Sequence, residues 1–258
     1  MPERTYPLMN ARFAARAARN AQICEMTREP GEGNAGWIAR ALGEDPSPRV
    51  ILLGGASLPD FRVRAAQAAA RSDLMPSFWS RALLALKTDL AAPWTLWSAG
   101  IEGASLAELP GTNGIHPVAL ASLDAAASLP NAAVLRFPGA TSEALVEAIA
   151  ALRGGRLVED VVTPIAAWFG FMIGAQGAEN PLAQGIPLPD ALFVDAAFSY
   201  AAVDLVPGAS ARGACPEAFW QSALWWSRYY AGDDEAGAAR APSGVFTIGQ
   251  AAACVVEG

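Results

Sequence analysis

The chain has 258 residues, of which 53% are hydrophobic and 17% charged, a composition typical of a folded protein with a sizeable core rather than of a disordered chain. Its formal net charge of −7 argues against a nucleic-acid-binding protein, because binding to phosphates needs a basic surface. Three cysteines are too few for a disulfide-stapled scaffold, and a single histidine excludes a histidine-rich metal site. We therefore expect neither a metal ion nor another cofactor.

The sequence also predicts a protein without a transmembrane segment. Its first ten residues, MPERTYPLMN, lack the apolar core of a secretory signal. The longest apolar stretch, Val161 to Ala175, is about fifteen residues long and contains Pro164, whereas ~20 residues are needed to cross a bilayer. We therefore expect a soluble, cytoplasmic protein.

In chain order, residues 9 to 43 carry a helical pattern that a loop at residues 29–33 interrupts. The apolar positions of this pattern are Phe13, Ala17, Ile23 and Met26. A second short helix is predicted from Ala35 to Leu42, ending at Gly43. Residues 1–48 are therefore interpreted as a helical N-terminal extension.

Four short apolar runs, each bounded by Gly, Pro or Asp, predict β-strands in the next part of the chain. They cover residues 49–55, 82–87, 94–99 and 132–137. Between the first two, the pattern predicts a short helix from Ala65 to Ser72. We expect the four strands to be neighbours in one mostly antiparallel sheet.

The second half of the chain is mainly helical by pattern. Thr141-Ser142-Glu143 is typical of a helix start, and this helix is predicted to run to Arg153. Three more helices are predicted at Val161–Gly174, Pro189–Val203 and Pro216–Tyr230, followed by a solvated loop and a short C-terminal element. Because no linker is long enough to separate domains, residues 49–258 are predicted to form a single α+β domain with a mostly antiparallel central sheet and packed helices.

Two residues offer a conventional nucleophile and base. Cys215 precedes Pro216 at a predicted helix start, where unpaired amides and the helix dipole lower the pKa of a thiol. His116 lies in a loop punctuated by Gly and Pro. The alternatives are that Cys215 is a small buried residue that behaves as an apolar one, and that His116 is a solvated loop histidine.

Gly54-Gly55-Ala56-Ser57 follows a predicted strand, as phosphate-binding loops do. The segment lacks the Gly-x-x-x-x-Gly-Lys and Gly-x-Gly-x-x-Gly spacings that bring backbone amides around a phosphate. A tight turn after the strand is therefore the better interpretation.

Several segments, taken in order, carry a resemblance to a known family. They are Val50 to Ser57, Ser77 to Leu84, Leu96 to Ala99, Ala133 to Arg136, Asp190 to Val194 and Ala202 to Gly208. They are similar to segments of the circularly permuted papain-like superfamily, which is the permuted branch of the NlpC family of cysteine amidases, peptidases and acyltransferases. In that family the corresponding segments are, in order, a first strand and glycine turn, a Ser-His strand, a third strand, a Val-x-Arg strand, a Cys-Ser-Glu-Leu-Val helix and a Gly-Ile-Asp-Leu-x-Pro-Gly turn. The chain resembles this family over roughly residues 49 to 220.

The resemblance implies a permuted papain-like fold whose catalytic residues are replaced. Asp190 stands at the position of the family's cysteine, Arg81 at that of its histidine, and Ser98 at its third polar position. Arginine stays protonated and cannot activate a nucleophile, and aspartate is a poor nucleophile for acyl transfer. The implied function is a catalytically silent domain that binds a protein partner or a small ligand in the former substrate groove.

The resemblance also predicts how the replaced residues meet. Carboxylate and guanidinium fit each other bidentately, so we expect Arg81 and Asp190 to form an ion pair, the alternative being that Asp190 caps its own helix without Arg81. The family has a helix-capping serine at the position of Cys215, which implies an unreactive thiol there. Two other functions stay open: a cysteine hydrolase or acyltransferase with Cys215 as nucleophile and His116 as base, and a helical interaction module without a central sheet.

Overall fold

The computed structural model describes residues 22–89, 91–99, 112–124, 129–154, 158–230 and 239–249. These residues form a seven-stranded sheet with the order β1-β7-β6-β2-β3-β4-β5. The strands are β1 (Ile23–Glu25), β2 (Arg49–Gly54), β3 (Arg81–Leu86), β4 (Thr95–Ser98), β5 (His116–Val118), β6 (Asn131–Arg136) and β7 (Ser243–Ile248). All neighbours are antiparallel except β1 and β7, which are parallel.

Helices cover both faces of this sheet. They are α1 (Asn34–Leu42), α2 (Leu58–Ala66), α3 (Ser142–Gly154), α4 (Val158–Ile173), α5 (Pro189–Tyr200) and α6 (Pro216–Tyr230). Together with the sheet they make the α+β fold that the sequence predicts. Over the ranges given above, no helix is both long and apolar enough to cross a membrane.

The four predicted strands are confirmed as β2, β3, β4 and β6, and they are neighbours in the sheet. The central strand β2 is buried along its whole length because alternate side chains enter two cores. Val50 and Leu52 pack into the core that α3, α5 and α6 share, whereas Ile51 and Leu53 pack against α1 on the other face. This explains why β2 is a continuous apolar run rather than an alternating one.

The helix predicted through Ile23 is wrong for residues 23–25, which form β1. This strand has three residues and pairs with Gly244 to Phe246 of β7, so its conformation depends on a partner far along the chain. Residues 9–21 of the predicted helix lie outside the described residues. The second predicted helix is confirmed as α1, and its Trp37 and Ile38 pack in the same core as Ile51.

Helix α2 is displaced from its predicted position by about two turns, because the helix starts at Leu58 and not at Ala65. The Ser57 hydroxyl accepts the N–H of Asp60 at 3.2 Å and caps this start. Gly54-Gly55 is thus a tight turn between β2 and the helix cap, as the sequence indicates. Two later boundaries also differ: α4 begins at Val158 and not at Val161, and α5 ends at Tyr200, before Ala202 with its positive φ of 58°. The predicted C-terminal element is strand β7.

Candidate functional site

A cavity of about 470 Å³ lies where β3, β4 and β5 meet α2, α4 and the start of α5. Its polar residues are Asp60, Ser80, Arg81, Ser98, His116, Ser122 and Asp190. Leu53, Val63, Leu83, Leu123, Leu129, Met172 and Leu188 contribute much of its apolar wall. A cavity of this size, with an apolar wall and a few convergent polar groups, is typical of a small-molecule site. The cavity contains the three replaced positions Arg81, Ser98 and Asp190, and it also contains His116.

Asp190 joins the start of α5 to the start of β3. Its Oδ2 accepts the N–H of Ala82 at 2.8 Å, and its Oδ1 accepts the N–H of Ala191 at 2.7 Å. The residue is only 5% exposed. Burial raises the pKa of its carboxyl to about 7, against the opposing effects of the two amides and of the Arg81 charge. The strand start and helix start that the resemblance brings together therefore lie side by side.

Arg81 forms its ion pair with another carboxylate. Its Nε lies 3.8 Å from Oδ1 of Asp60. The same Oδ1 accepts the hydroxyl of Ser80 at 2.7 Å, and Oδ2 of Asp60 accepts the hydroxyl of Ser57 at 2.6 Å. The structure therefore differs from the predicted Arg81–Asp190 pair. Asp190 is bound by one amide of its own helix, that of Ala191, and by one amide of β3, that of Ala82, so the capping alternative holds only in part, and the N-cap position itself is Leu188. Arg81 acts on Asp190 through electrostatic attraction.

Sequence reasoning missed Asp60 and Ser80 as residues of this cavity. The signal for Asp60 is the Ser57-Leu58-Pro59-Asp60 segment, which is typical of a helix start with an acidic first turn. Nothing in the local sequence points to Ser80, whose hydroxyl accepts the N–H of Gly55 at 3.0 Å across the turn after β2.

His116 begins the edge strand β5, where the sequence predicts a loop. It lies opposite Ser98 in the register of β4 and β5. Its Nδ1 is 2.8 Å from the carbonyl oxygen of Gly114. Because a carbonyl oxygen only accepts, Nδ1 is the donor in this hydrogen bond.

Cys215 lies directly before α6, as predicted, but its surroundings suppress its reactivity. The side chain is 1% exposed, and burial raises the pKa of the thiol to about 12. The charges of Glu217 and Asp190 act in the same direction. Within the described ranges, Cys215 does not line the cavity, and no hydrogen bond joins it to His116. The desolvation of the thiolate, which raises the pKa of Cys215, thus outweighs the helix start, which would lower it.

We expect iodoacetamide at neutral pH to alkylate Cys215 about a hundredfold or more slowly in the folded protein than in urea, because a buried thiol of high pKa forms little thiolate. Mass spectrometry of the peptide that contains Cys215 measures this rate. The exposed Cys24 is the internal control and should react readily in both states. Rapid labelling of Cys215 in the folded protein would contradict this prediction and support a catalytic thiol.

The polar residues of the cavity do not make a metal centre. Among all residues whose positions are described, no group of three or more His, Cys, Asp or Glu is placed to hold a metal ion.

No protein-family model, no curated protein and no solved structure matches this chain.

Proposed function

We propose that this chain is a catalytically silent permuted papain-like domain that binds a small molecule in the cavity around Arg81, Ser98 and Asp190. One observation carries the proposal: Arg81 and Asp190 line the same cavity. They place a guanidinium and a carboxylate at the two positions where the family that the chain resembles has an imidazole and a thiol. The arginine cannot accept a proton from a nucleophile at working pH.

The contacts of the two residues support binding rather than chemistry. The Asp190 carboxylate is held by two backbone amides, and Arg81 by Asp60, so that both side chains have fixed positions. Fixed polar groups on an apolar wall orient a ligand at a low entropic cost. We also infer a cytoplasmic location, since Cys24 and Cys215 are free thiols, as a reducing compartment favours.

The alternative function, a cysteine hydrolase or acyltransferase that uses Cys215 and His116, has less support. A nucleophile and its base must lie within hydrogen-bond reach of each other or of a bridging water. Cys215 is buried behind the start of α6, whereas His116 lies in the cavity on β5. The alternative would therefore need a large rearrangement of either residue.

We expect blocking of the cavity to abolish ligand binding. A fragment library screened by ligand-observed NMR should yield binders to the wild-type protein, and Ser122→Trp should weaken them at least about tenfold, because Ser122 is an exposed residue of the cavity. Ala121→Trp is the matched control, since Ala121 is the exposed neighbour that does not line the cavity.

Fragments that bind both tryptophan variants equally, or a library without binders, would contradict the proposed function. Hydrolysis of esters or amides by the wild-type protein, lost in Cys215→Ser, would instead support the cysteine hydrolase.

A further inference from the structure

We propose, on the basis of the binding function above, that the ligand is a small amphipathic amine. Its protonated nitrogen binds against the carboxylate of Asp190, and its apolar body lies along the hydrophobic wall of the cavity.

The two carboxylates of the cavity differ in how their charge is compensated. Asp60 accepts two serine hydroxyls and lies within ion-pair distance of Arg81. Asp190 accepts two backbone N–H groups, and no arginine or lysine of the described ranges lies within ion-pair distance of it. An ionised carboxylate has about four acceptor positions. Asp190 is therefore a buried carboxylate with acceptor capacity left over and, within the described part of the chain, no cation in contact.

The other polar groups around Asp190 also favour a ligand that donates hydrogen bonds. Nδ1 of His116 donates to the carbonyl oxygen of Gly114, so the nitrogen that the uncharged form of the ring offers to a ligand, Nε2, is an acceptor. The cation of the cavity, Arg81, is paired with Asp60. An anionic ligand would have to compete with Asp60 for Arg81 and would also meet the carboxyl of Asp190. An ammonium group, with three donors and a positive charge, avoids both costs.

The rest of the cavity fits an apolar body. Leu83 of β3, Met172 of α4 and Leu188 before α5 line it, together with Val63 of α2. Each methylene of the ligand that is removed from water there stabilises the bound state. A ligand with an amine at one end and a hydrocarbon chain at the other therefore matches both parts of the cavity.

Binding of an amine should depend on pH in a defined direction. Burial raises the pKa of Asp190 to about 7 in the free protein, so the carboxyl is mostly protonated at pH 6 and mostly ionised at pH 8. The titratable or charged groups facing it are Arg81 on β3, Asp60 on α2, His116 on β5 and Cys215 before α6. Because an alkylammonium ion prefers the ionised carboxylate, its affinity should rise roughly tenfold from pH 6 to pH 8.

The experiment compares three probes of equal chain length: hexylammonium chloride, sodium hexanoate and hexan-1-ol. Affinities are measured by isothermal titration calorimetry or by NMR line broadening at pH 6 and pH 8. The wild-type protein should bind hexylammonium most tightly and with the tenfold rise. Asp190→Asn should lose at least about tenfold in affinity for hexylammonium at pH 8 and should show no rise. Its affinity for hexan-1-ol should persist, which also shows that the variant is folded.

Asp204→Asn is the matched control, because Asp204 is an exposed aspartate outside this cavity that also accepts a backbone amide. It should bind hexylammonium like the wild-type protein. Tighter binding of hexanoate or hexan-1-ol than of hexylammonium would overturn the amine assignment while leaving the binding function in place. Failure of all three probes at the cavity, together with an empty fragment screen, would contradict the binding function itself.

Discussion

Replacing Gly54 by alanine is expected to lower the free energy of unfolding by about 3 kcal/mol or more. An added Cβ at this position would lie 1.8 Å from the carbonyl oxygen of Phe78 and 3.0 Å from the Cβ of Asn131. The first of these atoms is backbone, so no side-chain rotation relieves the clash. The segment before β3 that contains Phe78 would have to move away from β2, the central strand of the sheet.

The segment that would move carries the polar residues of the cavity. Phe78 precedes Ser80 and Arg81, and its carbonyl oxygen accepts the side-chain amide of Asn131 at 3.0 Å. The N–H of Ser80 donates to the carbonyl oxygen of Leu53 at 2.7 Å. Displacement of Phe78 therefore breaks the bonds that set the position of Arg81, and ligand binding should weaken along with stability.

Urea denaturation followed by tryptophan fluorescence measures the loss in Gly54→Ala. Gly154→Ala is the control, because Gly154 ends α3 and no atom of the described residues lies within 4 Å of an added Cβ. This variant should be as stable as the wild-type protein or up to about 1 kcal/mol more stable, as alanine favours the helix. A Gly54→Ala protein within about 1 kcal/mol of the wild type would show that the turn after β2 tolerates a side chain.

Local sequence patterns predicted the strands and helices whose own residues indicate that they are buried. The runs that became β2 and β6 are apolar at their centres, Val50 to Leu53 and Ala132 to Leu135, and are bounded by turn residues, which leaves few alternatives. Helix α6 was predicted with its observed ends, Pro216 and Tyr230. Strand β1 could not be predicted in the same way, because a strand of three residues is stabilised by β7, more than two hundred residues away in sequence.

The site was predictable only in outline. The resemblance placed the start of β3 beside the start of α5, and the hydrogen bond from Ala82 to Asp190 joins these two points. The choice of partner was not predictable: Asp60 reaches Arg81 because Ser57 caps α2 earlier than the helical pattern suggests. Which carboxylate pairs with an arginine depends on shifts of one helical turn, and sequence patterns rarely fix helix boundaries so closely.

The stability of the protein should fall as the pH rises from about 4 to 7, through Asp190. Its carboxyl has a pKa raised to about 7 in the folded state, from an ordinary value of 3.8. Between these two values the folded state holds a proton that the unfolded state has lost, so the free energy of unfolding decreases with increasing pH and levels off above 7. The contribution of this group between pH 5 and pH 8 amounts to roughly 2–3 kcal/mol.

Asp190→Asn removes this dependence because the amide does not ionise. Relative to the wild-type protein, the variant should be less stable at pH 5, where an amide replaces a neutral acid that accepts both backbone N–H groups, and should gain roughly 2–3 kcal/mol by pH 8. Urea titrations at pH 5, 6, 7 and 8 measure the difference in the free energy of unfolding between the two proteins, in which contributions common to both cancel. Asp204→Asn, which changes an exposed carboxylate, should run parallel to the wild type. A wild-type curve that also runs parallel to Asp190→Asn would mean that the carboxyl of Asp190 ionises alike in the folded and unfolded states, and that the two amides and the charge of Arg81 fully offset its burial.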